Sequence, residues 1–296
     1  MTQLKTILLT GATGFVGSYL LQELQQNGYE VIIVKRTTSD LKRIECILNQ
    51  AIVYNLDEVS LASIFDKHVI NAVIHAATSY GRKGESKSEI FQANFDFPLE
   101  LLETGILNGL SCFINTDTFF TTDIQLPPGL SDYVLSKKQF VQYAQQIVAN
   151  TNTHFFNLCL HHVFGPQDGQ EKFISFLIRA LQEQEELELT EGEQQRDYIY
   201  ISDVARAYTN VLNQYQLFEE QFVSLDLGTG KAVTLRALVE LVHKLLNSST
   251  KLLFGALPYR KNEIMYSVAD ISSLSKIGWK PLVSLEDGIR KTIGIL

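Results

Sequence analysis

The chain has 296 residues, of which 45% are hydrophobic and 20% are charged, and its formal net charge is −8. This composition is typical of a globular protein, and the length allows one large domain or two small ones. The acidic balance, with no basic block in the sequence, excludes a general nucleic-acid-binding protein, although a local cationic pocket can still take an anionic substrate.

Targeting signals and cysteine motifs are also missing from the sequence. No apolar run approaches the roughly 18 residues that span a membrane, and no signal-peptide pattern precedes the first strand. Cys46, Cys112 and Cys159 lie far apart in apolar segments and form no metal-binding motif. We expect a cytoplasmic protein with reduced, buried thiols, no membrane partner and no metal.

Residues 6–36 are predicted to form one βαβ unit, because an apolar strand, a glycine-rich turn, a helix and a second apolar strand follow one another. Gly11 permits the tight turn, Gly14 lets a pyrophosphate approach the backbone, and Gly17 lets the helix pack closely. The helix N-terminus presents N–H groups and a positive dipole end to phosphates. This unit therefore predicts a dinucleotide-binding site.

The end of the second strand bears on the choice of dinucleotide. An acidic residue there would bind the ribose 2′-OH of NAD. This chain instead has Lys35 and Arg36, followed by Thr37, Thr38 and Ser39. Cations and hydroxyls suit a 2′-phosphate, so NADPH is the predicted cofactor and NAD(H) is less favoured. The alternative is a solvated basic end to the strand.

Strands and helices continue to alternate. We predict a short helix over Asp40–Leu48, a strand over 51–56, a helix over Val59–Lys67 and a strand over 71–77. Asn55 and Leu56 could border an adenine ring, although a simple turn explains them equally well. The small Ala76 and Ala77 would let backbone approach the cofactor. His75 is predicted to be an interior histidine rather than a catalyst.

The same order of elements extends to about residue 163. The predicted elements are helix Ile90–Leu107, strand 111–120, a proline-bearing loop over Gln125–Gly129, helix Asp132–Asn150 and strand 153–160. This rhythm predicts an α/β fold with a doubly wound parallel Rossmann sheet.

Smaller mixed elements follow residue 163, among them helices Phe173–Glu183 and Leu235–Asn247 and two short closing helices. They predict a smaller, interleaved C-terminal substrate domain. Residues 1–163 would form the dinucleotide-binding domain, with about 196–228 returning to it. Residues 164–195 and 229–296 would form the substrate domain.

The candidate catalytic residues lie on a strand end and on the helix after it. Ligands bind beyond the carboxyl ends of parallel strands, where Thr116, Asp117 and Thr118 are expected to face the nicotinamide. Tyr133 and Lys137 are four residues apart on a helix and share a face. A lysine cation favours the phenolate and lowers a tyrosine pKa from its ordinary value of roughly 10. The pair predicts proton transfer coupled to hydride transfer, with Thr116 orienting the substrate oxygen and Lys137 also holding the nicotinamide ribose.

The whole pattern resembles the extended short-chain dehydrogenase/reductase family, the NAD-dependent epimerases and dehydratases that act on nucleotide-activated sugars. The resemblance covers nearly the full chain and rests on TGATGFVG, HAA, the tyrosine–lysine pair, HHVFGP, RDYIYISDV and IGWKP. It implies that Thr13, Phe15 and Val16 join the glycines in binding the dinucleotide. It also implies a homodimer formed through helices Ile90–Leu107 and Asp132–Asn150.

The resemblance further implies where a sugar nucleotide binds. Arg196 and Arg260 match the family's phosphate-contacting arginines, and a planar guanidinium suits phosphate oxygens. Each could instead be a surface salt-bridge residue. Lys172 is a weaker candidate, and His162 occupies a position where an asparagine often contacts the sugar nucleotide. Cys159 occupies one where an arginine is common.

Finer features resemble the 4-keto-sugar reductases of surface-polysaccharide and O-antigen synthesis, the group that includes CDP-abequose synthase. The local signatures are HAATSYG, which contributes Thr78 and Tyr80, together with NTDTFF, GPQDGQEKFI and RKNEIMYSVA. They imply NADPH-dependent reduction of the 4-keto group of a nucleotide-linked deoxyhexose, with Tyr133 supplying the proton. The family's dehydratases carry an Asp-Glu pair after the strand-end threonine, whereas this chain has Asp117 and Thr118, which disfavours dehydration.

Three functions stay open at this point. The leading hypothesis is a reductase of a CDP-linked 4-keto-3,6-dideoxyhexose or of dTDP-4-keto-6-deoxyglucose. The second is a nucleotide-sugar 4-epimerase, although the basic Lys35–Arg36 pair argues against the NAD that such enzymes hold. The third is a non-catalytic dinucleotide sensor, which the intact Thr116, Tyr133 and Lys137 disfavour. The nucleotide base and the stereochemistry of the new hydroxyl are not readable from the sequence.

Overall fold

The computed structural model describes residues 5–82, 84–122 and 130–295, so the predicted loop Gln125–Gly129 lies outside the described residues. The strands in chain order are β1 (Thr6–Thr10), β2 (Glu30–Lys35), β3 (Ala51–Asn55), β4 (Ala72–His75), β5 (Cys112–Thr118), β6 (His154–Leu160), β7 (His162–Phe164), β8 (Glu186–Leu189), β9 (Gln195–Arg196), β10 (Tyr198–Tyr200), β11 (Phe222–Leu227), β12 (Val233–Thr234), β13 (Lys251–Phe254) and β14 (Tyr266–Ser267).

The helices are α1 (Phe15–Gln26), α2 (Leu61–Lys67), α3 (Lys87–Phe91), α4 (Phe97–Leu107), α5 (Ser131–Val148), α6 (Phe173–Glu183), α7 (Ile201–Gln214), α8 (Leu235–Leu245), α9 (Ser272–Lys276) and α10 (Leu285–Ile293). A π-helical turn over Gln92–Asp96 joins α3 to α4, and 3₁₀ turns lie at Leu48–Gln50, Phe119–Thr122 and Tyr215–Leu217.

The main sheet has seven strands in the order β3-β2-β1-β4-β5-β6-β11. The pairs from β3 through β6 are all parallel. The strand order reverses between β1 and β4, which is the switch point where open α/β sheets bind their ligands. The predicted doubly wound parallel Rossmann sheet is therefore confirmed.

The strands are apolar on both faces because helices cover both faces, as the continuous apolar runs of β1 and β2 predict. On one face Leu8, Val73 and Phe113 join a buried cluster with residues of α2, α4 and α5. Phe113 stacks on Phe155 of β6 with ring centroids 5.3 Å apart. This core fixes the carboxyl ends of the strands, where the candidate site lies.

By their internal contacts the residues form two compact units. Unit 1 comprises Met1–Leu160, Ala205–Leu225 and Ser273–Trp279, and unit 2 comprises His161–Val204, Asp226–Ser272 and Lys280–Leu296. Unit 2 contains three small sheets, β10-β7, β12-β9-β14 and β13-β8. The assignment of one domain to the dinucleotide and one to the substrate stays a prediction.

Two sequence predictions about local structure are wrong. Asp40–Leu48 is not a helix but a series of turns, because Ile44 and Ile47 donate their N–H groups three residues back rather than four. Cys46 is exposed, whereas Cys112 and Cys159 are buried as predicted, and none of the three forms a disulfide.

The predicted helix over Ile90–Leu107 differs in detail. It begins earlier, at Lys87, because Ser86 and Glu89 form a capping box, and it contains the π turn. None of the helices in the described ranges combines the length and apolar composition needed to cross a bilayer. Nor do His, Cys, Asp and Glu side chains in residues 5–82, 84–122 and 130–295 cluster into a group that could hold a metal ion.

Candidate active site

The predicted catalytic residues come together at the carboxyl end of β5 and the start of α5. Thr116, Asp117 and Thr118 are the last residues of β5. Tyr133 and Lys137 lie one turn apart on α5, and their exposed fractions are only 4% and 5%. The i, i+4 spacing therefore places both side chains on the buried side of the helix.

Tyr133 is the centre of a short chain of hydroxyl groups. Its side chain hydrogen-bonds with the hydroxyls of Thr118 and Tyr80. The rings of Tyr80 and Tyr133 overlap with centroids 4.7 Å apart and an interplanar angle of 31°. Burial, reinforced by Tyr80 and Asp117, raises the pKa of Tyr133 well above its ordinary value. The hydroxyl is therefore protonated at neutral pH.

Lys137 does not lower that pKa as the sequence argument expects. Its ammonium donates a hydrogen bond to the carbonyl oxygen of Thr116 at 2.7 Å. It lies 5.8 Å from the centroid of the Tyr133 ring. Burial lowers the pKa of Lys137, and the neighbouring Asp117 carboxylate partly opposes that shift. Lys137 thus ties α5 to the end of β5.

The two strand-end threonines have different partners. The hydroxyl of Thr116 hydrogen-bonds to that of Tyr208 at 2.8 Å, whereas Thr118 bonds to Tyr133. Tyr208 is a fully buried residue of α7, and burial raises its pKa. Sequence reasoning missed Tyr208, because 92 residues separate it from Thr116. Its place in the RDYIYISDVARAY segment was the only available signal.

Asn94, in the π turn, organises the loop after β4 and was also missed. Its Oδ1 accepts hydrogen bonds from the Thr78 hydroxyl at 3.1 Å and the Ser79 N–H at 2.8 Å. Its Nδ2 donates to the carbonyl oxygen of Ser79 at 2.8 Å and to the hydroxyl of Ser136 at 3.1 Å. This amide therefore fixes the loop that carries Tyr80 next to α5. Thr78, a predicted substrate residue, is exposed but held by this bond.

A buried polar ladder lies under the site. The Nδ2 of Asn115 donates to Oδ1 of Asn157 at 2.7 Å, and the Nδ2 of Asn157 donates to the Asp117 carboxylate at 2.9 Å. The parallel register that pairs Asn115 with Asn157 brings these amides together. Asp117 is only 3% exposed, so its carboxylate supports β5 and β6 from within.

The glycine-rich turn has the shape that a dinucleotide requires. Gly11 has φ +70°, and a Cβ there would lie 2.5 Å from the backbone of Ala76 and Ala77. A Cβ on Gly17 would lie 2.0 Å from the carbonyl oxygen of Gly11, which explains the close approach of helix and turn. Gly14 is exposed and precedes α1, whose N-terminus has no side-chain cap.

The first-turn N–H groups of α1 can therefore serve a pyrophosphate, and the residues fit the cofactor. Thr13, Phe15 and Val16 are half-buried in this turn. The hydroxyl of Thr10 accepts hydrogen bonds from the N–H groups of Ala76 and Ala77, at 3.2 Å each, and so joins the ends of β1 and β4. Thr10 also bonds to His75 at 2.9 Å, which confirms His75 as an interior histidine.

Basic and acidic side chains lie together near the end of β2. The ammonium of Lys35 donates to Oδ1 of Asn55 at 2.8 Å, and the Arg36 side chain is exposed. Asp57 accepts hydrogen bonds from both the hydroxyl and the N–H of Thr37, which lower its pKa and keep it charged. A carboxylate beside the basic pair weakens the preference for a 2′-phosphate.

Asn55 and Leu56, the residues predicted to border an adenine ring, have contacts within the protein. Asn55 also donates to the Glu58 carboxylate at 2.9 Å, and Leu56 packs partly buried against the hydrophobic core.

The remaining predicted substrate residues belong to unit 2. Arg196 is 8% exposed and its guanidinium donates to Glu263 at 2.8 Å, so it is a buried ion-pair residue and not a surface one. Burial, with Arg196 nearby, lowers the pKa of His162 to about 3, so this imidazole is neutral. Lys172 precedes α6 and is half-buried, and Arg260 is exposed.

The chain is similar to several characterised proteins. A family model described as the NAD dependent epimerase/dehydratase family matches residues 7–223. CDP-abequose synthase of Salmonella muenchen is 34% identical over 292 residues, which cover 98% of each chain. The dTDP-4-dehydro-6-deoxyglucose reductase of Escherichia coli is 28% identical over 97% of this chain and 96% of that protein. The crystal structure of UDP-glucose 4-epimerase from Thermotoga maritima with UDP-glucose has a TM-score of 0.82 at 25% identity, over 98% of this chain and 97% of that one.

Proposed function

The chain belongs to the NAD dependent epimerase/dehydratase family, and from that premise we propose that it reduces the 4-keto group of a CDP-linked 4-keto-3,6-dideoxyhexose with NADPH. The resemblance read from the motifs is thereby confirmed. The chain is an NAD(P)-dependent oxidoreductase that modifies a nucleotide sugar. The reaction, the base and the cofactor are the proposed parts.

The observation that carries the proposed reduction is the position of Tyr133, which is buried at the start of α5 one turn from Lys137. Reduction of a ketone needs a proton donor beside the carbonyl oxygen, and burial keeps the Tyr133 hydroxyl protonated. Thr118 hydrogen-bonds to this hydroxyl at the position where a dehydratase of the family carries its second carboxylate. The site thus has a proton donor without the acid pair that eliminates water.

Each residue has a defined part in the proposed reaction. The glycine-rich turn and the first turn of α1 would hold a nicotinamide cofactor, which would supply the hydride when bound. Tyr133 gives its proton to the C4 oxygen, and the hydroxyls of Thr118 and Tyr80 hold the Tyr133 side chain in place. Lys137 fixes the end of β5 through Thr116, so the strand-end hydroxyls keep a constant geometry relative to α5.

Support for the substrate comes from the relatives. CDP-abequose synthase matches the chain along nearly its whole length at 34% identity. The second candidate substrate is dTDP-4-keto-6-deoxyglucose, which the 28% identity to dTDP-4-dehydro-6-deoxyglucose reductase favours. We place the product in surface-polysaccharide synthesis in either case.

The proposal also covers the ligand residues. Thr78, Tyr80, Thr118, His162, Lys172, Arg196 and Arg260 would bind the sugar nucleotide, with His162 acting only as a neutral hydrogen-bonding group. Asp117, also predicted to bind it, lies buried beneath the site and would instead support the end of β5. Exposed Arg36, with Lys35 beside it, would take the 2′-phosphate of NADPH. We further propose a cytoplasmic homodimer formed through α4 and α5. Sedimentation of the purified chain at twice its 33.4 kDa mass would support that assembly, and sedimentation at the single mass would reject it.

The experiment is NADPH oxidation with CDP- and dTDP-linked 4-keto-deoxyhexoses, in parallel with NADH. We expect one NADPH oxidised per CDP-sugar. The Tyr133→Phe variant should lose at least about 10²-fold in rate while still binding NADPH. An epimerase would convert a sugar without net oxidation, and a sensor would bind NADPH with no turnover of any sugar, so either result would reject the reductase.

A further inference from the structure

The hydroxyl group of Thr116 is held by a residue from a distant part of the chain. It hydrogen-bonds to the hydroxyl of Tyr208, and the two oxygens are 2.8 Å apart. Thr116 lies near the carboxyl end of β5 and is half-buried, whereas Tyr208 lies on α7 and is fully buried. The contact therefore joins a side chain of the candidate site to one in the protein interior.

The burial of Tyr208 decides which of the two hydroxyls donates. Among the residues that the structure describes, Thr116 is the one hydrogen-bond partner of the Tyr208 hydroxyl. A buried O–H group without an acceptor costs free energy, so the Tyr208 proton points to the Thr116 oxygen. Burial also raises the pKa of Tyr208, which keeps this proton in place at neutral pH. Tyr208 is therefore the donor and Thr116 the acceptor.

This donor order leaves the Thr116 proton available to another acceptor. A threonine hydroxyl donates one hydrogen bond and has two accepting positions, one of which Tyr208 occupies. Because Thr116 is half-buried, its own O–H can donate to a ligand bound at the end of β5. Two hydrogen bonds in series polarise each other, so the bond from Tyr208 makes Thr116 a stronger donor.

We propose that Tyr208 is a positioning residue that turns the Thr116 hydroxyl proton toward the C4 oxygen of the sugar. This role rests on the proposed reduction, in which Thr116 is predicted to orient the substrate oxygen. The C4 oxygen gains negative charge during reduction, so a fixed donor stabilises the transition state more than it stabilises the ketone. Tyr208 and Thr116 both keep their protons throughout, and Tyr133 supplies the one that enters the product.

The first test needs no substrate. In protein labelled with ¹³C-tyrosine, the proton NMR shift of the Tyr208 hydroxyl reports whether this group donates, because donation moves the resonance downfield. We expect a downfield resonance that moves upfield in Thr116→Val and stays in place in Thr116→Ser, which keeps the acceptor oxygen. Both variants retain Tyr208, so the comparison does not depend on how Tyr208→Phe folds. A resonance that Thr116→Val leaves unchanged would overturn the donor order.

The second test measures NADPH-dependent reduction in a double-mutant cycle. Thr116→Val should lower kcat by about 10²-fold, as the loss of one transition-state donor does, and Tyr208→Phe by about tenfold. The double variant should be no slower than Thr116→Val alone, because Tyr208 acts only through Thr116. Tyr215→Phe is the matched control and should leave kcat unchanged, since Tyr215 is also buried but its hydroxyl contacts Gln216.

The cycle also separates the proposed role of Tyr208 from its alternatives. Losses that add in the double variant, or a Tyr208→Phe effect confined to KM, would make Tyr208 a packing residue and overturn the proposal. A Tyr208→Phe variant as fast as the unmodified chain, or faster, would mean that Thr116 donates to Tyr208 instead. If the unmodified chain reduces no sugar, the proposed function fails and with it the role toward C4, while the Tyr208 resonance still decides the donor order.

Discussion

In this site, burial shifts the pKa values of Tyr133 and Lys137 more than neighbouring charges do. Tyr133 keeps its proton because desolvation disfavours the phenolate, and the same effect disfavours the charged form of Lys137. The sequence shows the four-residue spacing of this pair but not how deeply the helix buries it. The predicted fall in the Tyr133 pKa was wrong for that reason.

These shifts predict the pH dependence of the reaction. With the pKa of Tyr133 raised, the required protonated form persists through neutral pH, so kcat/KM should be flat there. It should fall on the alkaline side as Lys137, whose pKa is lowered, loses its charge. His162, with a pKa of about 3, should add no acidic limb between pH 5 and pH 8. A stopped-flow pH profile of NADPH oxidation measures this, and a rate that rises toward alkaline pH would mean that the phenolate is the active form.

A second residue-scale prediction concerns the cofactor. Asp57 is a carboxylate beside the basic end of β2, held by two hydrogen bonds from Thr37. Asp57→Asn removes one like charge near a 2′-phosphate, so the ratio of kcat/KM for NADPH to that for NADH should rise by roughly threefold to tenfold. Asp66→Asn, at an exposed aspartate on α2, is the matched control. An unchanged ratio in both variants would place the 2′-phosphate elsewhere.

At the residue scale, a local motif lets the sequence predict which side chains lie together, while their catalytic roles stay predictions. The strand-end threonines, Tyr133 and Lys137 follow from order and spacing alone. Asn94 and Tyr208 do not, because their partners lie tens of residues away and only the folded sheet brings them together. One sequence alone does not show that Thr116 pairs with Tyr208 and Thr118 with Tyr133.

At the scale of elements, the first βαβ unit was readable because each of its pieces has one dominant cause. Apolar runs form β1 and β2, and Gly11 adopts the positive φ that the turn needs. The segment Asp40–Leu48 has helix-like spacing of apolar residues, yet it forms turns. Asp40 accepts a hydrogen bond from the N–H of Lys42, and Gln25 captures the carbonyl oxygen of Ile47. The first bond is a local turn and the second a tertiary contact, and together they override the helical propensity of the segment.

The glycine turn gives an element-scale prediction with an internal control. Gly11 and Gly28 have similar φ values of +70° and +78°, but a Cβ would meet backbone at 2.5 Å at Gly11 and nothing within 4 Å at Gly28. Gly28→Ala should cost only the roughly 1 kcal/mol of a left-handed residue. Gly11→Ala should cost clearly more, about 3 kcal/mol or above, and should also lose dinucleotide binding.

Urea denaturation and a fluorescence titration with NADPH measure the two effects. Equal free energies of unfolding for Gly11→Ala and Gly28→Ala would contradict the close approach of the turn to β4.

For the whole molecule, buried histidines link stability to pH. Burial lowers the pKa of His75 and of His162 from 6.5 to about 3. Between these pH values the unfolded chain binds protons that the folded chain does not bind. The free energy of unfolding should therefore fall as the pH drops from about 6.5 toward 3. The slope is at most roughly 1.4 kcal/mol per pH unit for each histidine.

Calorimetry from pH 7 to pH 5 tests this slope. His75→Gln should flatten the dependence, because it removes a group whose pKa burial lowers. A melting temperature that does not change over this range would show that the histidines titrate normally.

The way the two units share the chain has a consequence for synthesis. Unit 1 takes its last segment from Ser273–Trp279, where the Trp279 side chain is 2% exposed, and unit 2 ends with Lys280–Leu296. Neither unit is complete until the segments from Ser273 onward have been translated. A nascent chain arrested near residue 163 would hold six sheet strands and the glycine turn but would lack α7, β11 and α9. Folding of both units can therefore be completed only after Ser273 has been translated, and stop codons before this residue should yield chains that the cell degrades.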